Sequence, residues 1–204
     1  MDVSESDLLS LLKTLDTLKP YLNDIVIVGG WVPFLYRKYG AIPSRHPAVR
    51  TVDIDIAVHH QVPDKGRTTI DELLTKAGYT TRMYGSNSGA VKYELDTPPT
   101  EIEFITPEIG KSREESITVQ SGLIAQALRY LDIPLNNFRQ IMINEHQSGL
   151  IFSATVKIPT LAAFVFQKSL IAPLRRNNYK EAKDLYYIFD LLDSTEDSRS
   201  QIPA

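Results

Sequence analysis

The chain has 204 residues, of which 43% are hydrophobic and 23% charged, a composition typical of a folded globular protein. It contains no cysteine, which excludes disulfides, thiolate metal sites and a cysteine nucleophile. The net charge of −3 argues against binding to nucleic acid through overall charge alone. The acidic N-terminus and the absence of a long apolar run favour a cytoplasmic protein with no membrane contact.

The first half of the chain predicts alternating helices and strands. Leucines at helical spacing predict a first helix over 7–19, capped by Ser4 and Asp7 and ended by Pro20. In chain order there follow a buried strand over 25–28, a helix over 31–39, a strand over 52–58, a helix over 67–77, and strands over 79–84, 90–95 and 101–105. This order predicts an α/β (α+β) fold in which helices flank a mixed sheet.

The second half predicts more helix. Its elements are a helix over 121–131, a strand pair over 138–143 and 150–158, helices over 160–171 and 179–193, and a polar end over 194–204 that we expect to fray. We therefore expect residues 1–110 to form an α/β core. Residues 111–204 should form a mostly helical C-terminal segment with a short strand pair, packed on the core and forming part of its cleft.

The charge is unevenly distributed along the chain. Residues 1–110 carry 11 Lys or Arg against 15 Asp or Glu (11 − 15 = −4), whereas residues 111–204 carry 11 against 10 (11 − 10 = +1). Five basic residues lie close together, namely Lys168, Arg175, Arg176, Lys180 and Lys183. This basic segment is either a solvated helix face or a surface for phosphate groups such as those of RNA.

Asp53 and Asp55 are the most informative pair of residues. Two positions apart on a predicted strand, their side chains point the same way from Cα atoms roughly 7 Å apart. Two adjacent carboxylates on a buried strand are costly unless a cation compensates them, and Mg²⁺ or Mn²⁺ is the natural partner. The alternative is a solvated polar strand face that carries two surface aspartates.

Gly29 and Gly30 stand between a buried strand and a helix. At such a turn the backbone amides can approach a phosphate closely, and the helix N-terminus attracts anions. The alternative is a tight strand-to-helix turn with no ligand. The phosphate-binding interpretation of the glycine pair is favoured because the two aspartates follow it, in the order expected of a site for phosphate and metal.

Two segments, VGGW at 28–31 and RTVDIDI at 50–56, resemble the signature of the polymerase-β-like nucleotidyltransferase superfamily. That signature is a hydrophobic residue, Gly, Gly or Ser, and later two acids separated by a hydrophobic residue. Because Gly30 stands at the Gly-or-Ser position, a phosphate contact there must come from the backbone. More narrowly, the chain resembles the AbiEii-type branch, which includes MenT-like toxins, through Lys168, the Arg175-Arg176 pair and the Lys183-Asp184-Leu185 segment.

The resemblance implies a third acid on a neighbouring strand. Glu101 and Glu103 share one face of the predicted strand, and we prefer Glu103, which lies deeper between hydrophobic neighbours. Glu101 remains the alternative for the third acid. A cross-strand pair with Lys92 is the alternative role for Glu103.

The resemblance also implies a role for each candidate site residue. It implies catalytic roles for Asp53, Asp55, Glu103 and Lys168, metal binding by Asp53, Asp55 and Glu103, and nucleotide binding by Gly29, Gly30, Arg50, Thr51, Lys168, Arg175 and Asp184. Three alternatives stay open. Lys168 could lie at the surface with its ammonium group in water, Asp184 could pair with Lys180, and Arg50 could pair with Asp53.

The predicted function is therefore Mg²⁺-dependent (or Mn²⁺-dependent) transfer of a nucleotidyl group from an NTP to RNA, tRNA or a protein. A toxin with a cognate antitoxin is the biological role that the narrower resemblance implies. The alternatives are transfer to a small molecule, as in aminoglycoside nucleotidyltransferases, and a protein of the same fold that binds nucleotide without turnover. A metal-dependent release of pyrophosphate would separate enzyme from binder.

Overall fold

The computed structural model describes residues 4–40, 46, 51, 53–64, 66, 68–84, 90–110, 115–175 and 177–200. The α-helices are α1 (Glu5–Thr17), α2 (Trp31–Tyr39), α3 (Ile70–Lys76), α4 (Asp132–Asn136), α5 (Leu161–Ile171) and α6 (Asn178–Ser200). The strands are β1 (Ile25–Val28), β2 (Asp53–Val58), β3 (Thr80–Tyr84), β4 (Ala90–Asp96), β5 (Pro99–Pro107), β6 (Ser116–Gln120), β7 (Leu123–Leu128), β8 (Phe138–Gln147) and β9 (Leu150–Pro159).

Within the described residues, seven strands form one mixed sheet. Its main path runs β1-β2-β5-β4-β3, while β7 pairs with the end of β5 and β6 pairs with β7. Strands β2, β5 and β7 are parallel, and the other pairings are antiparallel. Helices flank the sheet and the C-terminal part ends in helices, so the predicted fold class is confirmed.

The two faces of the sheet differ in chemistry. On one face Ile54 and Ile56 of β2 are fully buried in the main hydrophobic core, together with Ile102 and Phe104 of β5. The opposite face carries the acidic residues and a smaller apolar cluster made by Val26, Val28, Ala57, Ile105, Leu131 and Leu135. This arrangement follows from the alternation along each strand, which sends neighbouring side chains to opposite faces.

Strands β8 and β9 form a separate two-stranded sheet. The strands run in register from the Phe138–Pro159 pair to the Gln147–Leu150 pair. Ser148 and Gly149 both have positive φ, at 50° and 82°, which is the backbone of a two-residue type I′ hairpin. The predicted strand pair is therefore confirmed, with strands longer than expected.

The helix predicted over 121–131 is wrong. Residues Leu123–Leu128 form strand β7, joined to β6 by a turn in which Gly122 has a φ of 77°. The segment contains good helix formers, but β5 leaves a free edge beyond Phe104, and β7 pairs with it from Ile105 onwards. Pairing with a neighbouring strand therefore outweighs local helix propensity here.

Several predicted boundaries move. Helix α1 begins at Glu5, and its predicted cap is present, since Ser4 and Asp7 form a reciprocal capping box. Thr160 caps α5, which begins at Leu161. The expected fraying over 194–204 is wrong as far as Ser200, because α6 continues to that residue, and residues 201–204 lie outside the described part of the chain.

One hydrophobic core joins the two halves of the chain. It contains Leu11 and Trp31 from the first half and Phe152, Phe164 and Leu191 from the second. Strands β6 and β7 also extend the main sheet beyond residue 110. The division into residues 1–110 and 111–204 stays a prediction. Among the described helices, none combines the length and the apolar character needed to cross a membrane.

Candidate active site

A cavity of about 300 Å³ opens on the acidic face of the sheet. Strands β2 and β5 contribute Asp53, Asp55 and Glu103 to its wall, and the turn between β1 and α2 contributes Gly29 and Gly30. Helices α5 and α6 close the other side with Lys168, Lys180, Lys183 and Asp184. Most of the residues that the sequence placed in one cleft thus line this cavity, and the C-terminal helices form its wall.

Asp53 and Asp55 begin β2, where their side chains share the cavity face. Neither carboxylate makes a hydrogen bond or an ion pair with any described residue. Burial is the largest influence on Asp55, and with the charge of Glu103 it raises the pKa of Asp55 to about 7. The charges of Lys168 and Lys183 act in the opposite direction, and the charge of Asp53 adds to the rise, so the cations of the cavity offset the crowded carboxylates only in part.

Gly29 must be glycine for two reasons. Its φ of 69° lies in the left-handed region, and a Cβ there would come within 1.8 Å of Asp55 Oδ2. The turn therefore brings main-chain atoms directly against the carboxylate of Asp55. At Gly30 a Cβ would lie 2.7 Å from Thr51 Oγ1 and 2.8 Å from the Tyr187 hydroxyl, so a serine side chain would not fit without movement.

Glu103 lies opposite Asp55 in the β2–β5 register, and Glu101 lies opposite Asp53. Glu103 lines the cavity, whereas Glu101 does not. Lys92 of β4 forms ion pairs with both glutamates, so the cross-strand alternative for Glu103 is also realised. Burial opposes the charge of Lys92, but its hydrogen bonds to Glu101 and Glu103 outweigh this and raise the pKa of Lys92.

Lys168 and Asp184 form a buried pair between α5 and α6, with 2.7 Å between Nζ and Oδ1. Lys168 is only 7% exposed, so the alternative of a surface lysine is wrong. Asp184 Oδ2 accepts a second hydrogen bond of 2.8 Å from Arg175 Nε. The contacts of Asp184 are thus with Lys168 and Arg175 rather than with Lys180, and they fix two cations at the cavity wall.

One residue assigned to nucleotide binding, Thr51, is placed differently. Thr51 is buried behind Gly30 and does not line the cavity; its hydroxyl makes one long hydrogen bond of 3.4 Å to the Asp53 carbonyl. Arg50 and Arg176 lie outside the described residues. The cavity therefore brings together Gly29, Gly30, Asp53, Asp55, Glu103, Lys168, Arg175 and Asp184 from the predicted set.

Tyr187 is a cavity residue that the sequence analysis did not assign to the site. It is 2% exposed, and its hydroxyl has no hydrogen-bond partner among the described residues. Burial and the charges of Asp184 and Asp55 raise the pKa of Tyr187, which keeps the hydroxyl protonated. Its position three residues after Asp184 on one helix was the available signal, because such residues share a helix face.

A larger cavity of about 790 Å³ lies where the parallel strands β2, β5 and β7 end, lined by residues such as His59, His60 and Arg129. It contains none of the predicted site residues. We place the active site in the smaller cavity, because the unpaired aspartates and the buried lysine face each other there. Volume alone does not identify the site of chemistry.

The donor atoms of the smaller cavity suit a hard divalent cation. Asp53 and Asp55 offer carboxylate oxygens that form no ion pair with any described residue, and Mg²⁺ is usually held by one or two carboxylates plus water. In the described part of the chain, no group of three or more His, Asp or Glu side chains is arranged to hold a metal ion. Two aspartates are enough to hold such an ion, and they are available to it. Glu103 is not available in the same way, because it forms an ion pair with Lys92.

A comparison with protein-family models finds a nucleotidyltransferase family that matches residues 6–203, nearly the whole chain. No curated protein matches the chain, and no solved structure does. The family match agrees with the glycine turn, the paired aspartates and the buried lysine that the fold brings together. The chain therefore belongs to this nucleotidyltransferase family, and the protein is a nucleotidyltransferase.

Proposed function

We propose that the protein is a Mg²⁺-dependent (or Mn²⁺-dependent) enzyme that transfers a nucleotidyl group from an NTP to a macromolecular acceptor. One observation carries this proposal. The unpaired carboxylates of Asp53 and Asp55 face the fixed cations Lys168 and Arg175 across one cavity. A metal-bound triphosphate needs both kinds of group, one set for the metal and one for the remaining phosphate charge.

In this proposal Asp53 and Asp55 hold the divalent cation. The cation supplies charge stabilisation to the phosphate oxygens when it is bound. An oxygen of the acceptor attacks the α-phosphorus and loses its proton, the bond to the bridging oxygen breaks, and pyrophosphate leaves. The enzyme contributes mainly position and electrostatic stabilisation to this displacement.

Lys168 is the phosphate-binding cation in this proposal. Its contact with Asp184 holds the ammonium group at the cavity wall, so little side-chain freedom is lost when a phosphate binds. The backbone at Gly29 and Gly30 approaches the phosphates, and the N-terminus of α2 adds a favourable dipole for an anion. Gly29 serves this role because a side chain there would strike Asp55.

For the acceptor we propose RNA, with tRNA as the specific candidate. Lys180 and Lys183 extend the basic wall of the cavity beyond the buried pair, and cations at the edge of a site bind RNA phosphates without reading sequence. The resemblance to the AbiEii and MenT-like branch supports the same acceptor. It also supports a role as the toxin of a toxin–antitoxin or phage-defence system, with an antitoxin as protein partner.

The test is to incubate labelled NTPs and Mg²⁺ with total RNA, with lysate protein and with aminoglycosides, and to follow pyrophosphate release. We expect label in RNA, and loss of turnover of about 10³-fold or more in Asp53→Asn and Asp55→Asn. Asp16→Asn, at an exposed position on α1, is the matched control and should behave as wild type.

Label on protein or on a small molecule would replace RNA as the acceptor while keeping the reaction. NTP binding without pyrophosphate release from any mixture would instead identify a nucleotide-binding protein without turnover. Full activity of Asp53→Asn would remove the aspartates from the mechanism.

A further inference from the structure

The acidic face of the sheet carries two pairs of carboxylates, and in the described part of the chain only one of these pairs forms ion pairs with a lysine. Asp53 and Asp55 on β2 have no ion-pair partner among the described residues. Glu101 and Glu103, their direct neighbours on β5, share the ammonium group of Lys92. One pair therefore forms no ion pair of its own within the described ranges, whereas the adjacent pair already shares a cation supplied by the chain itself.

The position of Lys92 follows from strand register. Lys92 lies directly opposite Glu103 in the antiparallel β4–β5 pair, and the parallel β2–β5 pair sets Asp55 opposite Glu103 on the other side. Three neighbouring strands thus place lysine, glutamate and aspartate in one row. Opposite charges directly across a strand pair attract, so the sheet itself holds the ammonium group beside the acids.

The ion pair is also shielded. The Lys92 side chain is 21% exposed and the Glu103 side chain 25%, and both line the cavity. Charges that are partly removed from water interact more strongly than surface pairs, so separating them has a larger cost. A metal ion at Glu103 would have to compete with the ammonium group of Lys92, which already pairs with Oε1 of this carboxylate.

We propose that Lys92 acts as a built-in cation that neutralises Glu103, so that Asp53 and Asp55 bind the first divalent cation without a third carboxylate. The inference rests on the proposed metal-dependent function and refines its metal site. It also agrees with the absence, among the described residues, of any group of three acids or histidines arranged for a metal.

The test uses Mn²⁺ as the probe, without nucleotide, and counts free Mn²⁺ by electron paramagnetic resonance. Glu103→Gln in the wild-type background should change Mn²⁺ affinity less than about two-fold, because Lys92 already occupies that carboxylate. Lys92→Met should release Glu103 and tighten Mn²⁺ binding by about ten-fold. Combining Lys92→Met with Glu103→Gln should abolish most of that gain.

Arg82→Met is the matched control. Arg82 lies opposite Lys92 on β3 and forms an ion pair with Glu94, so its removal takes one positive charge from the neighbouring strand and leaves Lys92 in place beside Glu103. It should change Mn²⁺ affinity far less than Lys92→Met does. Lys92→Arg keeps the charge and should bind Mn²⁺ as wild type, which provides a second variant if Lys92→Met folds poorly.

Two results would overturn the inference. One is weaker Mn²⁺ binding, by about ten-fold or more, in Glu103→Gln alone, which would make Glu103 a ligand in the wild type. The other is unchanged affinity in Lys92→Met while Asp53→Asn abolishes binding; this would leave the proposed function intact and remove only the role of Lys92. Absence of Mn²⁺ binding by the wild type would overturn the proposed metal dependence and this inference together.

Discussion

Among individual residues, two buried tyrosines illustrate the difference between a structural and a functional hydroxyl. The Tyr36 hydroxyl donates a hydrogen bond of 2.6 Å to the Pro159 carbonyl, whereas the Tyr187 hydroxyl has no partner among the described residues. A buried hydroxyl without a hydrogen bond costs free energy that a phenylalanine would avoid. Its presence beside Gly30 therefore favours a role in the site over a role in packing.

We expect Tyr187→Phe to raise the free energy of unfolding by about 1 kcal/mol, and the melting temperature by roughly 2–4 °C, because it removes an unsatisfied group and keeps the ring. Tyr36→Phe should lower stability by a similar amount, because a buried hydrogen bond is lost. Thermal melts followed by circular dichroism measure both. Equal losses in the two variants would show that the Tyr187 hydroxyl has a stabilising partner after all.

Asp55 predicts an unusual pH dependence for the protein without metal. Its pKa is about 7 in the folded chain and 3.8 ordinarily, so the folded state binds more protons than the unfolded state between those values. Stability should therefore fall as the pH rises from about 4 to 7. Asp55→Asn should remove this dependence and stabilise the protein by roughly 1–3 kcal/mol at pH 8, with a smaller gain near pH 5.

Melting temperatures in chelator-containing buffers at pH 5 and pH 8 test this expectation. Asp16→Asn serves as the control, since its exposed carboxylate should show no comparable change between the two pH values. A lower melting temperature of Asp55→Asn at pH 8 would mean that the carboxylate makes a stabilising contact.

At the level of elements, α5 and α6 line the candidate active site, and one buried ion pair joins them there. Asp184 holds both Lys168 and Arg175, and Lys168 Nζ also lies 5.9 Å from the centre of the Tyr187 ring. Thr160 begins α5 with a side-chain cap, which fixes the start of the helix that carries Lys168. The sequence placed these helices near the site through the same lysine and aspartate.

Lys168→Ala should weaken NTP binding or turnover by about ten-fold or more, on the order of 1.4 kcal/mol, because the phosphate loses a fixed cation. Lys168→Arg should restore only part of the lost NTP binding or turnover, since a planar guanidinium does not replace a compact ammonium group in a tight site. Lys76→Ala, at an exposed position of α3, is the control. Unchanged NTP kinetics in a folded Lys168→Ala protein would exclude α5 from the mechanism.

For the whole molecule, the shared core decides how the chain unfolds. Side chains from α1, α2, β9, α5 and α6 belong to one hydrophobic cluster, and β7 adds to the sheet that the first half begins. Units that share a core in this way lose each other's packing when one unfolds. The C-terminal segment should therefore not unfold separately from the core.

We expect one cooperative transition in denaturant. The fluorescence of Trp31, the single tryptophan and a fully buried core residue, should change together with far-ultraviolet circular dichroism. Coincident midpoints within error support a single folding unit. Two separated transitions would instead favour residues 1–110 and 111–204 as independent domains.

Local sequence patterns were sufficient to predict a structural feature where that feature depends on residues close together in the chain. The alternation around Asp53 and Asp55 determined that both carboxylates share a face, and the strand before Gly29 located the turn. The cap at Ser4 was equally visible, since capping depends on residues within one turn. Helix propensity misled at 121–131, where the pairing partner of Leu123–Leu128 is remote in sequence.

The sequence by itself determined the fold class, the aspartate pair and the glycine turn. It also selected Lys168 and Asp184 as candidate site residues. Each of these features is encoded in short-range spacing or in a recognisable signature. Only the tertiary structure decided that Lys92 engages Glu103, that Thr51 lies behind Gly30, and that the Tyr187 hydroxyl ends beside that glycine. These three facts depend on strand register and helix packing between segments far apart in the chain, and no local pattern specifies which remote side chains will meet.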